Sequence, residues 1–331
     1  MRVGFFFWPY TPEYTERMAR LGEAHGFDMV GIADTPGNAM DPWVAMTLAA
    51  AVTSRVRLAT CVTNLVTRHP SITASAAGSV DAVSEGRSVL GIGAGHSGVA
   101  NVGGVPAGPS SLREGLTFLR TALAGQPASW RGAATHLPWV RRPVPVYAAA
   151  SGPQALRVAG AAADGAFVNY GLGAEEVGHA RRLIEAGARE ARRSPAEIDV
   201  WSIACLDVSA RGDTALEKLG NILGFVAAYI LGPDPEGRGV PVELVPAVRE
   251  LRASYTTRQR EMDPNLVKRL GLFDYLRARL AVAGTPEDCL EQVRRAEEAG
   301  ANQLMFTVSL AADPVGTVDL FGREVLPALR R

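Results

Sequence analysis

Short apolar runs alternate with longer stretches of helical periodicity along most of this chain. Val3–Trp8 is an apolar run closed by Pro9, and Glu13–His25 follows as an amphipathic stretch behind the start signal Thr11-Pro12. Met29–Ala33 reads as a second strand ending at Asp34, with Pro42–Val52 as its helix. Val56–Val62 and Pro70–Val83 form a third pair. Ser88–Ile92 is the fourth strand, followed by a glycine-rich loop over Val99–Pro106 and a helix over Leu112–Leu123. A polar and aromatic excursion, Trp130–Trp139, predicts a hairpin. Val144–Ala149 with Gln154–Ala162, and Ala166–Asn169 with Glu175–Arg192, carry the alternation on to a seventh strand, Ile198–Val208.

The pattern then breaks. Arg211–Leu280 holds helical runs, Thr214–Leu231 and Val245–Tyr255, interrupted by Gly232-Pro-Asp-Pro235 and Gly237-Arg-Gly239. It resumes with a helix over Glu287–Ala299, a strand over Asn302–Thr307 and a last helix from about Val315. Eight strands, each followed by a helix, predict the α/β class: a single (β/α)8 TIM-barrel domain over residues 1–331 with a helical insertion at about 211–280 after strand 7. An insertion at a strand's carboxyl end is expected to cover the mouth of the barrel and set substrate choice.

Composition narrows the partners. The 331 residues are 47% hydrophobic, enough to bury a large core, and Lys+Arg and Asp+Glu both total 34. A balanced charge points to neither nucleic acid nor an anionic membrane as partner. Cys61, Cys205 and Cys289 lie in apolar or helical contexts without metal-ligand spacing, which fits reduced core residues of a cytoplasmic protein. The apolar start is too short for a secretory leader, is stopped by Pro9 and has no cleavage signal, so it reads as a first strand. No apolar run has the length of a membrane span.

In a barrel of this class, chemistry belongs at the carboxyl ends of the strands. Those ends carry Trp8-Pro-Tyr10, Asp34-Thr35, Thr63-Asn64 with Arg68-His69, Gly93–Gly98, Ala150–Pro153, Asn169-Tyr170 and Thr307. Paired carboxylates, metal-ligand clusters and a Gly-x-Ser-x-Gly elbow are missing from that set, so a bound organic cofactor is expected to do the hard step. Gly93-Ala94-Gly95-His96-Ser97-Gly98 formally matches the dinucleotide fingerprint G-x-G-x-x-G. The loop that follows it, and the position of Glu114 inside a helix rather than at a strand end, argue against that reading. Glycines 93 and 95 with Ala94 instead suit a backbone lying close to a flat, partly anionic ligand. Ser151-Gly152-Pro153-Gln154 opens a helix, with Ser151 as the expected N-cap and free amides for a phosphate.

Beyond the individual ends, six segments in order resemble the bacterial-luciferase superfamily. They are Val3–Pro9, Val30–Asp34, Leu58–Pro70, Leu90-Gly-Ile-Gly-Ala-Gly95, Ala150-Ser-Gly-Pro153 with Ala163-Asp-Gly165, and Ala283-Gly-Thr-Pro-Glu287. Within the superfamily they are similar to the coenzyme F420-dependent branch that includes methylenetetrahydromethanopterin reductase. The resemblance implies a luciferase-like TIM barrel holding a deazaflavin, or FMN, in its mouth, as a homodimer. It implies a cis peptide between Cys61 and Val62, in a bulge that supports the cofactor face, with Thr63 and His69 beside it.

The chain also departs from that branch. Methanopterin-reducing members carry acids where this chain has Phe6 and His96, and several deazaflavin dehydrogenases have Asp-His where it has Asp34-Thr35. These differences argue against methylenetetrahydromethanopterin as the substrate and for a more apolar mouth. The resemblance implies an F420-dependent oxidoreductase acting on an unsaturated or carbonyl group of a small organic substrate, with secondary metabolism as a setting. The alternative is a reduced-FMN monooxygenase served by a partner flavin reductase, and a non-catalytic cofactor-binding protein is a third class. Hydride arriving at such a group leaves negative charge that needs a proton donor. His96, Asp34, Asn64 and His69 are the candidates at the strand ends. His96 is favoured because imidazole donates near neutral pH, whereas an ordinary aspartate is ionised and serves only to orient.

Overall fold

The computed structural model describes residues 1–257, 263 and 265–330. Positions 258–262 and 264 of the expected insertion, and position 331 of the expected domain, lie outside the described residues. The strands are β1 (Arg2–Phe7), β2 (Met29–Ile32), β3 (Arg57–Thr60), β4 (Thr63–Asn64), β5 (Ser88–Gly93), β6 (Ala128–Trp130), β7 (Ala133–Thr135), β8 (Val146–Ala150), β9 (Gly165–Val168), β10 (Asp199–Val208), β11 (Ala281–Gly284) and β12 (Gln303–Thr307). The helices that flank them are α1 (Pro12–His25), α2 (Pro42–Ala51), α3 (Pro70–Val83), α4 (His96–Ala100), α5 (Pro109–Leu123), α6 (Pro153–Ala162) and α7 (Ala174–Glu190). After β10 come α8 (Gly212–Ile230), α9 (Val245–Ala253), α10 (Leu266–Arg269), α11 (Phe273–Leu280), α12 (Pro286–Glu298) and α13 (Pro314–Leu320).

One sheet runs in the order β11-β10-β12-β1-β2-β3-β5-β8-β9, with β9 also paired to β10 and β4 to β5. Eight of its strands form the closed parallel barrel of the (β/α)8 class, as the alternation predicts. Proline explains much of the punctuation. Helices α1, α2, α3, α5, α6, α12 and α13 each start on one, where the missing N–H costs nothing and φ is already helical. Among the described residues, no helix is long and apolar enough to cross a membrane.

By their contacts the residues group into two compact units. One comprises Phe6–Val168 and Arg181–Trp201. Its strands stack in register, Val30 opposite Leu58, Leu58 opposite Ser88, Leu90 opposite Val146 and Ala148 opposite Ala166. The other comprises Met1–Phe5, Asn169–Ala180 and Ser202–Arg331. There β10 pairs with β12 along Ser202–Cys205 and with β11 from Cys205 to Val208. Strand β11 is a four-residue run directly after α11, too short to stand out in the hydropathy pattern.

Two local expectations are corrected. The residues after Gly95 form the short helix α4 before the glycine loop begins, because Gly95 in the left-handed region turns the chain straight into it. The hairpin is β6–β7, which overlaps the expected Trp130–Trp139 but starts at Ala128 and ends at Thr135, and it turns on Arg131 and Gly132, both at positive φ. Trp139 is no hairpin residue; its ring lies where a side chain at Gly78 of α3 would be.

Candidate functional site

Three successive strand ends of the first-described unit, those of β2, β3–β4 and β5, build one corner. Its foundation is Thr60, whose hydroxyl accepts the Gly91 N–H and donates to the Gly91 carbonyl, both at 2.9 Å. Ala59 pairs with Val89 and Thr63 with Ile92. Four steps on one strand thus match three on the other, which leaves one extra residue and makes a bulge. The peptide bond between Cys61 and Val62 within this bulge is cis, as the resemblance implies. Val62 then lies over β5 because β5 has glycines beneath it. A Cβ at Gly93 would stand 2.9 Å from Val62 Cγ2, and one at Gly91 would stand 2.1 Å from the Thr60 carbonyl. Ala149 of β8 borders the same ledge, 3.4 Å from a Cβ at Gly93. The result is a shallow apolar shelf of Val62, Gly93 and Ala149.

Asp34 stands beside the shelf, half-buried at the end of β2. Its Oδ2 accepts one strong hydrogen bond from the Thr63 hydroxyl, at 2.6 Å. Burial raises its carboxyl above the usual range; the Thr63 bond and Arg68 oppose that shift, and Asp41 reinforces it. Asp34 is therefore a carboxylate that holds its proton more tightly than a free aspartate does. Arg68 pairs with Asp41 near the surface, which divides its charge between two carboxylates.

The glycine turn closes the corner. A Cβ at Gly95, whose φ is +90°, would stand 2.3 Å from Val99 Cγ2 and 2.8 Å from Asn64 Cβ. Asn64 commits its side-chain oxygen to the N–H groups of Val66 and Thr67 and to the Thr67 hydroxyl, at 2.9, 2.8 and 3.1 Å. Only its amide nitrogen is left for a ligand. Helix α4 docks against the segment after β2. Thr35 Oγ1 and Ser97 Oγ are 3.4 Å apart, Asn101 Nδ2 donates to the Pro36 carbonyl at 2.8 Å, and Gly98 packs on the Asp34 backbone. His96, the half-buried first residue of α4, is thereby carried to the element that bears Asp34. The Ala94 carbonyl accepts from Ala107 N–H at 2.8 Å and fixes the far side of the turn.

The remaining expected site residues stand around this corner. Gly152 holds the N-cap of α6 without a side-chain bond, in place of the expected Ser151. Pro153 takes the first helical position and so moves the cap one residue on. Ser151 is half-buried and Gln154 exposed at the end of β8, the neighbour of β5. His69 is exposed and caps α3, its Nδ1 accepting from Ser71 N–H at 3.2 Å. Burial pushes the Cys61 thiol far up, which makes it packing rather than a nucleophile. Phe7 packs edge-on against Tyr14 of α1, so alternation points Phe6 the other way. Two supports, Thr60 and the pairing of Arg68 with Asp41, are not read from the sequence, which marks Arg68 only beside His69 at a strand end. A threonine at the last position of an apolar strand was the available signal for the first, and nothing local marks the second.

The family model of luciferase-like monooxygenases matches residues 8–303. 5,10-Methylenetetrahydromethanopterin reductase of Methanolobus tindarius is 28% identical over 334 residues, covering 98% of this chain and 100% of that protein. F420-dependent glucose-6-phosphate dehydrogenase of Rhodococcus erythropolis is 27% identical over 346 residues, covering 97% and 95%. The solved coenzyme F420-dependent tetrahydromethanopterin reductase of Methanopyrus kandleri superimposes with a TM-score of 0.80 at 25% identity, covering 99% of each chain.

Proposed function

The chain belongs to the luciferase-like monooxygenase family, and on that premise we propose that it is a coenzyme F420-dependent oxidoreductase. Its reaction is hydride transfer to an unsaturated or carbonyl group of a small organic substrate. The observation that carries this is the shelf of Val62, Gly93 and Ala149, whose flatness depends on Gly91 and Gly93 having no Cβ. A flat tricyclic ring fits such a ledge, and relatives that match this chain from end to end are reductases and F420-dependent dehydrogenases. Cys61, Val62, Thr63, Gly93, Ala94 and Gly95 would hold the ring, Ser151–Gln154 its phosphate, and His69 an outer edge. When bound, the reduced deazaflavin supplies the hydride.

The chain's own residues then manage the proton. Asp34, with its carboxyl raised by burial, and His96 are the two groups at the corner able to hold a proton for the developing anion. Phe6, where the resemblance implies an acid in methanopterin-reducing members, supports an apolar substrate rather than a pterin.

Titration with both cofactors tests the reading. F420 is expected to bind at micromolar concentration, better than FMN, and turnover with reduced F420 should ignore dioxygen. FMN binding without F420 binding, with oxygen consumed when a flavin reductase is added, would select the monooxygenase that the family model favours. Failure to transfer hydride to any acceptor would leave a cofactor-binding protein.

The same proposal includes a homodimer and the cytoplasm. Helix α2 has no charged residue, and Val44 of α2 with Ile72 and Val83 of α3 stand more than half exposed, at 52%, 56% and 53%. Sedimentation of Val44→Glu/Ile72→Glu should then show monomers. The three cysteines are buried and free, which suits a reducing compartment.

A further inference from the structure

A carboxyl group has two oxygens, and the corner treats those of Asp34 differently. Oδ2 accepts the Thr63 hydroxyl at 2.6 Å, at the short end of the O–H···O range. Oδ1 has no hydrogen-bond partner among the described residues, and it is not sealed from solvent. Half-buried Asp34 thus gives one oxygen to the fold and keeps the other open.

Thr63 fixes that asymmetry. It belongs to β4, pairs with Ile92 of β5 and is 1% exposed. A threonine hydroxyl carries one hydrogen, and Asp34 Oδ2 is its one acceptor among the described residues. The reverse arrangement, a proton on Oδ2 donated to Thr63, would bury the Thr63 hydrogen with no acceptor there. That state is unfavourable, because a buried donor without a partner loses its hydration and gains nothing. Thr63 therefore donates, Oδ2 accepts, and a proton bound by Asp34 goes to Oδ1.

The charged groups nearby do not make that choice. Asp41, the N-cap of α2, and Arg68, just before α3, act on Asp34 with opposite signs and are paired with each other. His96 is the titratable group of α4, whose Gly98 packs on the Asp34 backbone. We propose that Thr63 is a positioning residue: its hydroxyl holds Oδ2 as the accepting oxygen, so that Asp34 takes up and gives up its proton at Oδ1 alone. This rests on reading Asp34 as a proton-holding group of the hydride transfer, but the arrangement itself is open to measurement without cofactor.

Carbon-13 NMR of the full chain with labelled aspartate, the signal assigned through Asp34→Asn, follows the Asp34 titration directly. A donor to Oδ2 favours the ionised carboxylate, so its loss must favour the protonated one. Thr63→Val should raise the Asp34 pKa by about one unit, a tenfold gain in proton affinity, and Thr63→Ser should reverse this. An unchanged or lowered value in Thr63→Val, or a serine variant that behaves like valine, overturns the proposal. A second measurement on the wild-type chain decides even if Thr63→Val fails to fold. In acid, the infrared C=O stretch of Asp34, isolated by subtracting Asp34→Asn, should lie below that of monomeric acetic acid in an apolar solvent. A stretch at the free-carbonyl frequency would put the proton on Oδ2 and overturn it. With reduced F420, the alkaline limb of the kcat profile should move up with the pKa in Thr63→Val, on a plateau lowered about tenfold or more. A limb that stays in place would overturn the part given to Thr63 in the proton step. A wild-type chain that transfers no hydride would count against the F420 reading alone, and the two cofactor-free measurements would still judge Thr63.

Discussion

Two carboxylates of the unit that carries the candidate site, Glu23 and Asp34, are handled in opposite ways. Glu23, in the last turn of α1, meets the amino end of β3. Its oxygens accept from the N–H groups of Ser54, Arg55 and Val56 and from the Ser54 hydroxyl, at 2.6 to 3.1 Å. Burial alone would raise its pKa, but those donors outweigh it and hold the carboxyl at about 2. Asp199, also at an amino end, is just as well supplied, by the Tyr147 hydroxyl, Trp201 Nε1 and Arg57. Asp34, at a carboxyl end, has the single Thr63 hydroxyl among the described residues, and a pKa raised by burial. The amino end surrounds both acids with donors, and at Glu23 those donors hold the carboxylate as an anion. The other leaves an acid short of donors, and burial raises its pKa. The contrast supports reading the Asp34 corner as chemistry and the amino ends as anchorage.

The largest expected effect tests the reactive side. His96→Ala is expected to lower turnover with reduced F420 about a hundredfold or more while cofactor affinity changes little, the usual scale for a lost general acid. Asp34→Asn should do likewise if the two share the proton, whereas Glu23→Gln should leave the turnover of folded enzyme unchanged. Stopped-flow oxidation of the cofactor, set beside equilibrium binding, separates the outcomes. A collapse of affinity with turnover intact would make His96 a binding residue and leave the proton to solvent.

Next comes the foundation of the shelf. Gly91→Ala places a methyl 2.1 Å from a backbone oxygen that cannot swing away. It is expected to destabilise the fold by about 1–3 kcal/mol and to weaken cofactor binding along with it. Urea unfolding and cofactor titration of the same variant check this. Wild-type stability would mean that β3 and β5 can part without harm, and that the Thr60–Gly91 bonds are not the foundation.

The barrel could be read from the chain because its signals are local. Apolar runs of strand length, proline at the start of seven helices, and glycines after β5 each act within a few residues. The short α4 and β11 escaped because a five-residue helix and a four-residue strand carry too little pattern. The cis bond at Cys61–Val62 came from the resemblance alone, since nothing in a Cys-Val pair announces it. The differing states of Glu23 and Asp34 were not legible either. Glu23 meets its donors 31 to 33 residues away, and Asp34 depends on burial and on Thr63, 29 residues on.

A smaller effect tests the anchoring side. The Glu23 pKa is depressed in the fold, so its contribution is present above the unfolded value near 4.5 and is lost as pH falls toward 2. Glu23→Gln should cost about 1–2 kcal/mol at pH 7, discounted for its partly exposed position. The gap from wild type should narrow steadily between pH 5 and about pH 3. A gap that stays constant with pH would mean that the carboxylate's charge is not what the Ser54–Val56 amides hold.

The smallest effect has the opposite sign. The Asp34 pKa is raised in the fold, so the folded chain binds that proton more tightly than the unfolded chain does. Its contribution is therefore present below the unfolded value near 3.9 and is lost as pH rises through the raised folded value. Asparagine cannot ionise, yet its side-chain oxygen still accepts the Thr63 hydroxyl. Asp34→Asn should thus match or exceed wild-type stability at pH 7, by at most about 1 kcal/mol, with the gain vanishing toward pH 3. Set beside Glu23→Gln, the two stability differences should run with opposite signs and fade together in acid. A variant that loses activity and gains stability is what an under-supplied catalytic acid predicts. Should Asp34→Asn instead lose stability at pH 7 as Glu23→Gln does, Asp34 would be one more anchored anion, and the proton would fall to His96 alone.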